Sequence, residues 1–285
     1  MLLHCGLLLS EANITLVCKA SRFYCLQCAC QGCPRSCGSL NWGSDARVLY
    51  CCVFSLPQIK CDSSIPMDLA EDALDDQYQG CRETMLKNIN TTHLPSELNK
   101  NPAFKKAWKI AQRETKRQRH EELSLEQATA IYVYTMDDND VYSAFNTAVR
   151  TGGTNYTEFP FKALHFYLTD ALKRLRSNKE KCYKVYRGVD LTFTTAAGNI
   201  VRFGQFASTS LKKNKAKEFG EKTLFTIRTC LGVRIEKYSA FQTEKEVLIP
   251  PFERFKVIAV RGNKIQLEHI KNQKSNFNCG RRNSV

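Results

Sequence analysis

The sequence predicts an α+β fold, in which helices come first along the chain and strands follow. Between residues 96 and 175, apolar side chains recur three or four positions apart, which is the spacing of a helix with one buried face. From residue 183 onward, apolar and polar residues alternate, as they do in strands. The 285 residues are 43% hydrophobic and 25% charged, and this composition excludes a wholly disordered chain.

Four helices account for the first half of this pattern. The first is expected over Ser96–Gln118, with a row of basic residues on its exposed side. Ser124 and Gln127 form a capping box, which predicts the start of the second helix. The third and fourth helices are expected at residues 140–150 and 161–175, where the apolar positions again fall on one face.

Strand candidates fill the second half of the chain. They are residues 183–188, 206–211, 223–229, 233–237, 247–249, 255–261 and 264–269. Gly262-Asn263 stands between the last two and is typical of a hairpin turn. Because the strands are not separated by regular helices, the pattern does not fit alternating βαβ units.

The cysteines divide the chain into two parts. Ten of the fourteen fall within residues 1–61, and the other four are Cys81, Cys182, Cys230 and Cys279. We therefore expect a Cys-rich leader at residues 1–66, a folded domain at residues 67–279, and a basic tail at residues 280–285. The four widely spaced cysteines suit two disulfides in an oxidising compartment, or four unrelated buried thiols.

The leader gives a weak metal signal. Its cysteines at Cys25–Cys37 are crowded and have no nearby histidine pair, whereas zinc sites need ligands that can close a tetrahedron. A disordered or poorly specified leader is the better interpretation, and no metal site is expected.

Signals for export and membrane attachment are also weak. No window reaches the roughly 18 consecutive apolar residues of a spanning helix. The first ten residues lack a basic flank, whereas Val48–Leu56 follows Arg47 but lies far from Met1. The C-terminus is polar and basic, so a lipid anchor is not expected. Glycosylation triplets begin at Asn13, Asn90 and Asn155.

Three short motifs carry candidate chemistry. The first is Arg187 between Tyr186 and Gly188, which could serve an anion or a structural ion pair. The second is Ser208-Thr209-Ser210, which could line a site or form the polar face of an edge strand. Familiar nucleotide and hydrolase signatures such as G-x-G-x-x-G and G-x-S-x-G are missing from the sequence.

The third motif is a pair of glutamates, Glu244 and Glu246, directly before an apolar run. Residues two apart in a strand point to one face, so both carboxylates would project together. When two carboxylates lie so near each other, the pKa of one of them is raised, and a nearby cation is favoured. The pair therefore indicates a cationic substrate or transition state, or else a solvated loop.

Taken together, the three motifs resemble the arginine-specific mono-ADP-ribosyltransferases of vertebrates and related bacterial toxins. The resemblance extends to Leu74–Tyr78, Ala130–Thr135 and Glu246–Pro251, and covers residues 67–279. It implies a helical N-terminal part packed on a β-sandwich-like core that binds NAD. The first 66 residues show no such resemblance.

The resemblance also implies roles for the motif residues. The arginine matching Arg187 binds the phosphates of NAD, for which a planar guanidinium is suited. Ser208 supports the site by hydrogen bonding, and Glu246 is the catalytic glutamate. Glu244 would pair with the incoming guanidinium of an arginine acceptor. NAD enters as a substrate, and no metal is implied.

The same resemblance implies roles for further residues. Tyr134, Gln205 and Ser239 match positions near NAD, and Phe241 could meet the acceptor protein. The family pairs Cys81 with Cys279 and Cys182 with Cys230 as disulfides. Both bonds need an oxidising compartment, so the protein is expected to be secreted or lumenal.

The expected activity is transfer of ADP-ribose from NAD to accessible arginines of proteins, with release of nicotinamide. NAD glycohydrolysis at the same site is the first alternative, and a catalytically silent binding protein is the second. The net charge of +14 raises nucleic-acid binding by residues 100–119 as a third, although no base-reading module accompanies that basic segment, so a nucleic-acid partner is not expected.

Overall fold

The computed structural model describes residues 64–118, 121–136, 140–176, 181–271 and 274–283. The cysteine cluster Cys25–Cys37, the apolar segment Val48–Leu56 and the glycosylation triplet at Asn13 therefore lie outside the described residues. The first described residue, Ser64, stands just before the predicted start of the domain at Met67.

Helices occupy the first half of the described chain, as predicted. They are α1 (Arg82–Asn88), α2 (Leu94–Lys100), α3 (Pro102–Lys116), α4 (Leu125–Thr135), α5 (Asp140–Thr151), α6 (Lys162–Arg176) and, among the strands, α7 (Lys213–Glu218). A short π-helical segment, Ile89–His93, joins α1 to α2. The capping box at Ser124 and Gln127 is present at the start of α4, which confirms that prediction.

The first predicted helix is in fact two helices, so the prediction of one continuous helix over Ser96–Gln118 was wrong. Asn101 leaves the helical conformation with φ −123°, and its Oδ1 accepts a hydrogen bond of 3.0 Å from the backbone N–H of Phe104. Pro102 stands at the first turn of α3, where its missing N–H costs nothing. An asparagine cap followed by proline thus ends α2 and starts α3.

Twelve strands are described. They are β1 (Ile65–Pro66), β2 (Tyr183–Val189), β3 (Phe193–Thr194), β4 (Ile200–Val201), β5 (Ala207–Ser210), β6 (Thr223–Thr229), β7 (Val233–Arg234), β8 (Glu246–Ile249), β9 (Phe255–Arg261), β10 (Lys264–His269), β11 (Phe277–Asn278) and β12 (Arg281–Arg282). Eight form one mixed sheet in the order β4-β9-β10-β6-β2-β5-β8-β7. The predicted hairpin at Gly262-Asn263 joins β9 and β10, with Gly262 at φ +57°.

Two neighbouring strands in the middle of the sheet, β2 and β5, pair over a very short stretch. Strands β2 and β6 pair along seven residues each, from Tyr183 opposite Thr229 to Val189 opposite Thr223. Strands β2 and β5, by contrast, pair through Tyr186 opposite Ser210. The sheet therefore divides into two parts that diverge from each other, and the cleft between β2 and β5 is where the candidate site lies.

The helices pack on one face of the sheet, which confirms the predicted α+β architecture. On β8, Leu248 belongs to the apolar cluster formed by the helices, whereas Val247 and Ile249 belong to a second cluster on the other face. Alternate side chains of a strand point to opposite faces, so the two clusters are the two sides of one sheet. Glu246 shares the side of Leu248 and so lies toward the helices.

The two ends of the described chain are joined to each other. Asp75 is fully buried, pairs with the equally buried Arg202, and accepts from the backbone N–H groups of Asn276 (2.7 Å) and Phe277 (2.9 Å). The disulfide Cys81–Cys279 ties the same two segments. The beginning of the predicted basic tail is exposed but belongs to a regular element, because strand β12 pairs with β11.

The second disulfide, Cys182–Cys230, joins residues next to the paired ends of β2 and β6. Both disulfides implied by the family resemblance are therefore confirmed, and the alternative of four unrelated thiols is wrong. No helix in the described part of the chain is long and apolar enough to cross a lipid bilayer.

Candidate active site

A cavity of about 450 Å³ lies where β2 and β5 diverge. Its wall contains five of the seven predicted site residues: Tyr134, Arg187, Ser208, Glu244 and Glu246. Its volume is in the range of small-molecule sites. The strand order thus brings together residues that are up to 112 positions apart in the sequence.

Arg187 lies on β2 and is partly buried. Its Nη1 donates a hydrogen bond of 2.8 Å to the carbonyl oxygen of Ser208 on β5. This acceptor is neutral, so the contact orients the guanidinium without neutralising its charge. The arrangement favours the interpretation of Arg187 as an anion-binding residue over that of a structural ion pair.

The hydroxyls that follow Ser208 hold β5 against β8. Thr209 Oγ1 donates to the carbonyl of Val247 (2.6 Å), and Ser210 Oγ donates to the carbonyl of Glu244 (2.6 Å). Both hydroxyls therefore donate to backbone carbonyls at or next to the two glutamates. Ser208 differs, because its side chain hydrogen-bonds the carboxylate of Glu246.

Glu246 begins β8 and is 5% exposed. Burial raises the pKa of its carboxyl to about 7, against hydrogen bonds from Ser208 and Ser239 and the charge of Arg187, which lower it. The neighbouring charge of Glu244 raises it further. Ser239 Oγ donates to Oε2 at 3.3 Å, which is a long bond. The ionised carboxylate is therefore poorly satisfied, and a cation in the cavity would stabilise it.

Glu244 reaches the same cavity by a different route from the one predicted. It ends a short 3₁₀ helix, Gln242–Glu244, and is not part of a strand, so the argument from strand alternation was wrong. Lys245 follows with φ +51°, a left-handed conformation that turns the chain into β8. This turn places both carboxylates in one cavity wall, with Glu246 buried and Glu244 half-buried.

Tyr134 comes from α4 and is 1% exposed. Its hydroxyl donates to the carbonyl of Phe206 (3.0 Å) and accepts from Asn146 Nδ2 (3.2 Å). Burial raises the pKa of Tyr134 well above its ordinary value, so the phenol stays neutral. The tyrosine links the helical part to the residue just before β5.

Comparisons with known proteins agree with this geometry. The sequence model of the family described as "NAD:arginine ADP-ribosyltransferase" matches residues 67–275. The chain belongs to this family.

Its relatives within the NAD:arginine ADP-ribosyltransferase family include proteins of birds and mammals. "NAD(P)(+)--arginine ADP-ribosyltransferase 1" of Gallus gallus is 41% identical over 230 residues, which are 76% of this chain and 73% of the relative. "Ecto-ADP-ribosyltransferase 4" of Mus musculus is 37% identical over 232 residues, covering 75% of this chain and 76% of the relative.

Among solved structures, the eukaryotic mono-ADP-ribosyltransferase ART2.2 shares the fold. Its crystal structure matches with a TM-score of 0.69 and 37% identity, and covers 75% of this chain and 98% of ART2.2. A mutant of ART2.2 that was solved in complex with NAD matches with a TM-score of 0.67 and 38% identity over the same shares of the two chains. The ADP-ribosyltransferase fold predicted from the sequence is thereby confirmed.

Two residues that the family resemblance places near NAD lie apart from the cavity wall. Gln205 is half-buried and accepts a hydrogen bond from the guanidinium of Arg150 on α5. Ser239 is 1% exposed and stands behind Glu246, where its hydroxyl also accepts from the backbone N–H of Phe241 (3.1 Å). Phe241 itself is in the wall.

Several residues of the site were not found from the sequence. Asn146 is one, and a signal was present, because it is a buried amide on the otherwise apolar face of α5. Leu191 and Phe219 are others: they are 52% and 56% exposed and line the cavity. Gly188 has a role as well, since a Cβ there would lie 2.2 Å from the carbonyl of Ala216, so glycine allows α7 to approach β2.

Metal-binding side chains do not gather in the described residues, where no group of three or more histidine, cysteine, aspartate or glutamate side chains could hold an ion. The chemistry of the cavity wall is that of one guanidinium, three carboxylates and several hydroxyls, the carboxylates being those of Asp190, Glu244 and Glu246.

Proposed function

We propose that this protein transfers ADP-ribose from NAD to arginine side chains of other proteins and releases nicotinamide. The observation that carries the proposal is the pair Glu244 and Glu246 in one cavity wall with Arg187. The names of its relatives, which describe NAD(P)-dependent arginine ADP-ribosyltransferases, support the same reaction.

In the first step, the bond between the ribose carbon and the nicotinamide nitrogen of NAD breaks. Nicotinamide leaves with the electron pair, and positive charge develops on the ribose as an oxocarbenium-like cation. Glu246 is placed to stabilise that charge and to accept a hydrogen bond from a ribose hydroxyl, because its carboxylate is buried and poorly satisfied. Arg187 holds the pyrophosphate with its planar donors.

In the second step, a guanidine nitrogen of the acceptor arginine forms a bond to the same ribose carbon. The acceptor must lose one proton for the product to form, and Glu244 is placed to pair with the guanidinium and to take that proton. Glu244 is half-buried, so it can meet a side chain that arrives from solvent. Phe241, in the same wall, would contact the acceptor protein.

Water in place of the arginine would give NAD glycohydrolysis, which is the second candidate. A labelled-NAD assay with agmatine as acceptor separates the two, because transfer yields an adduct and hydrolysis yields free ADP-ribose. We expect an adduct from the parent protein. Nicotinamide release without an adduct would contradict the transferase assignment.

Glu244 gives the sharper test of the acceptor side. We expect Glu244→Gln to lower transfer to agmatine at least about tenfold more than it lowers NAD cleavage, since a neutral amide neither pairs with the guanidinium nor takes its proton. Glu83→Gln is the matched control, because the Glu83 side chain is 81% exposed on α1. Equal losses of transfer and cleavage in Glu244→Gln would show that Glu244 does not serve the acceptor.

The setting of this activity is also a proposal. Residues 67–279 are assigned as the catalytic domain, and the protein is assigned to the extracellular space or the secretory lumen. The disulfides Cys81–Cys279 and Cys182–Cys230, and the word "ecto" in the names of relatives, support that assignment. Mass spectrometry of the protein recovered from culture medium and from cells tests it: absence of the protein from the medium and the secretory lumen, or reduced Cys182 and Cys230, would contradict it.

A further inference from the structure

The exposed side of α3 carries a row of cations that the transferase chemistry does not use. At 100° per residue, the row falls within an arc of roughly 120°, and it runs for about 18 Å along the helix axis. Its members are Lys105, Lys106, Lys109, Arg113, Lys116 and Arg117, and all six are exposed. We call them the α3 row. None of the six lines the cavity described above.

The row has a fixed shape because the other side of α3 is part of the core. Phe104, Ala107, Trp108 and Ala111 are at most 4% exposed and belong to the apolar cluster of the helical part. The helix therefore cannot turn its apolar face outward. The cations form a straight and rigid strip rather than a flexible basic tail.

The charges of the row are poorly balanced within the described residues. On α7 and the sheet, exposed cations lie beside carboxylates, as in Lys217–Glu221 at 2.8 Å and Arg228–Glu268 at 2.7 Å. On α3, the described ion pair is Arg117–Glu114 at 3.1 Å, at one end of the row. The chain thus gathers five further cations along one helix face.

This gathering weakens the helix. Lys109 stands four residues after Lys105 and four before Arg113, and like charges at that spacing repel each other. A solvated helix face would be more stable with glutamates among the lysines. A row that opposes the stability of its own helix points to a polyanionic partner that neutralises it.

We propose that the α3 row binds a linear sulfated polysaccharide of the heparin type. A straight strip of six cations matches a chain that presents sulfates in sequence, and basic clusters of this size suit such ligands. The row carries no large apolar side chain that could enter a membrane and no aromatic side chain on which bases could stack. The proposal rests on the extracellular assignment and not on the transferase activity.

The test compares two variants of the full-length protein that lose the same charge. The first is K105Q/K109Q/R113Q/K116Q, in the row. The control is K222Q/K256Q/R261Q/K264Q, which removes four exposed cations from the sheet side. The probe is a sized heparin oligosaccharide, and its affinity is measured at several salt concentrations near 0.15 M.

We expect the row variant to lose at least tenfold in affinity for heparin and the control variant less than threefold. Counterion release predicts that the slope of log Kd against log salt falls by about 3 in the row variant. Its melting temperature should stay the same or rise, because repulsion along α3 is relieved. If the fourfold variant does not fold, K105Q/K109Q against R261Q/K264Q makes the same comparison.

Three results would overturn the proposal. Equal losses of affinity in the two variants would show that heparin binding depends on net charge alone. Tighter binding of duplex DNA, or of vesicles containing phosphatidylserine, than of heparin at the same salt would assign the row to another class of partner. Transfer to agmatine by the row variant is measured in parallel, so that failure of this proposal can be told apart from failure of the transferase assignment.

Discussion

Buried carboxylates occur in two regions of this molecule, and their surroundings differ. The first region is the framework, by which we mean the buried residues away from the cavity. There, Glu253 is 1% exposed and accepts from the backbone N–H of Cys230 (2.8 Å), from Thr229 Oγ1 (2.6 Å) and from His269 Nδ1 (2.8 Å). In the cavity wall, Glu246 is about as buried, but its donors are hydroxyls of Ser208 and Ser239. The framework supplies a full set of donors, and the cavity leaves the carboxylate in need of one.

Glu97 sharpens this comparison, because it shares one property with each region. Burial raises the pKa of its carboxyl to about 7, as it does for Glu246, yet Glu97 accepts from the backbone N–H groups of Lys162 (2.7 Å) and Ala163 (3.1 Å) and caps α6. A raised pKa alone therefore does not mark a catalytic residue. The difference is the cavity in front of Glu246, into which a cationic transition state can enter.

The largest expected effect is on activity. We expect Glu246→Gln to lower transfer from NAD by about 1,000-fold or more, because a neutral amide cannot stabilise the developing positive charge. The measurement is initial rate of agmatine modification at saturating NAD. Glu97→Gln serves as the framework control and should stay within about threefold of the parent while folded. A loss of less than tenfold in Glu246→Gln would remove it from the catalytic role.

The next effect is on stability and belongs to the framework. We expect Asp75→Asn to lower the free energy of unfolding by about 3 kcal/mol, because Arg202 would be left buried without its counter-charge. Urea unfolding with the disulfides intact measures it. The exposed Asp72→Asn is the control and should change the free energy by less than about 0.5 kcal/mol. Equal stability of the two variants would show that the ion pair contributes nothing.

The smallest effect is on the pH dependence of stability, which reflects the raised pKa of Glu246. The pKa of Glu246 is raised from 4.5 to about 7 in the folded protein, so its contribution to stability is fully present below about pH 4.5 and is lost as pH rises through 7. Glu246→Gln removes that loss. We expect the variant to be more stable than the parent by on the order of 2 kcal/mol at pH 8, and by little at pH 4.

The experiment is urea unfolding of both proteins across this range. The contribution of Glu97 to the free energy of unfolding also falls as pH rises. Glu97 is present in both parent and variant, so this contribution cancels in the difference between their free energies of unfolding. A difference that does not change between pH 4 and pH 8 would mean that Glu246 has an ordinary pKa. Activity of the parent should rise through pH 7 as Glu246 ionises.

Local signals predicted the regular elements well. The capping box of α4, the helix beginning at Asp140 and the hairpin at Gly262-Asn263 all rest on neighbouring residues, and all are present. The break at Asn101-Pro102 was missed, although proline at a helix start is itself a local signal. The short strands β1, β3, β4, β11 and β12 were missed because two-residue strands have no period to detect.

The sequence by itself determined the four groups on which the family resemblance rests. Arg187, Ser208, Glu244 and Glu246 are recognisable from residue type, order and spacing, and the parity of Cys81, Cys182, Cys230 and Cys279 was compatible with two disulfides. These features are carried by the residues themselves, so no knowledge of the surroundings is needed to see them.

The tertiary structure alone decided how those groups behave. It placed Gln205 against Arg150 and Asn146 against Tyr134, and it gave Glu246 a pKa of about 7. Desolvation and hydrogen bonding depend on side chains that are distant in the sequence, so neither can be read from local order. Glu244 illustrates the point, because a single left-handed residue, Lys245, rather than a strand brings it to the cavity.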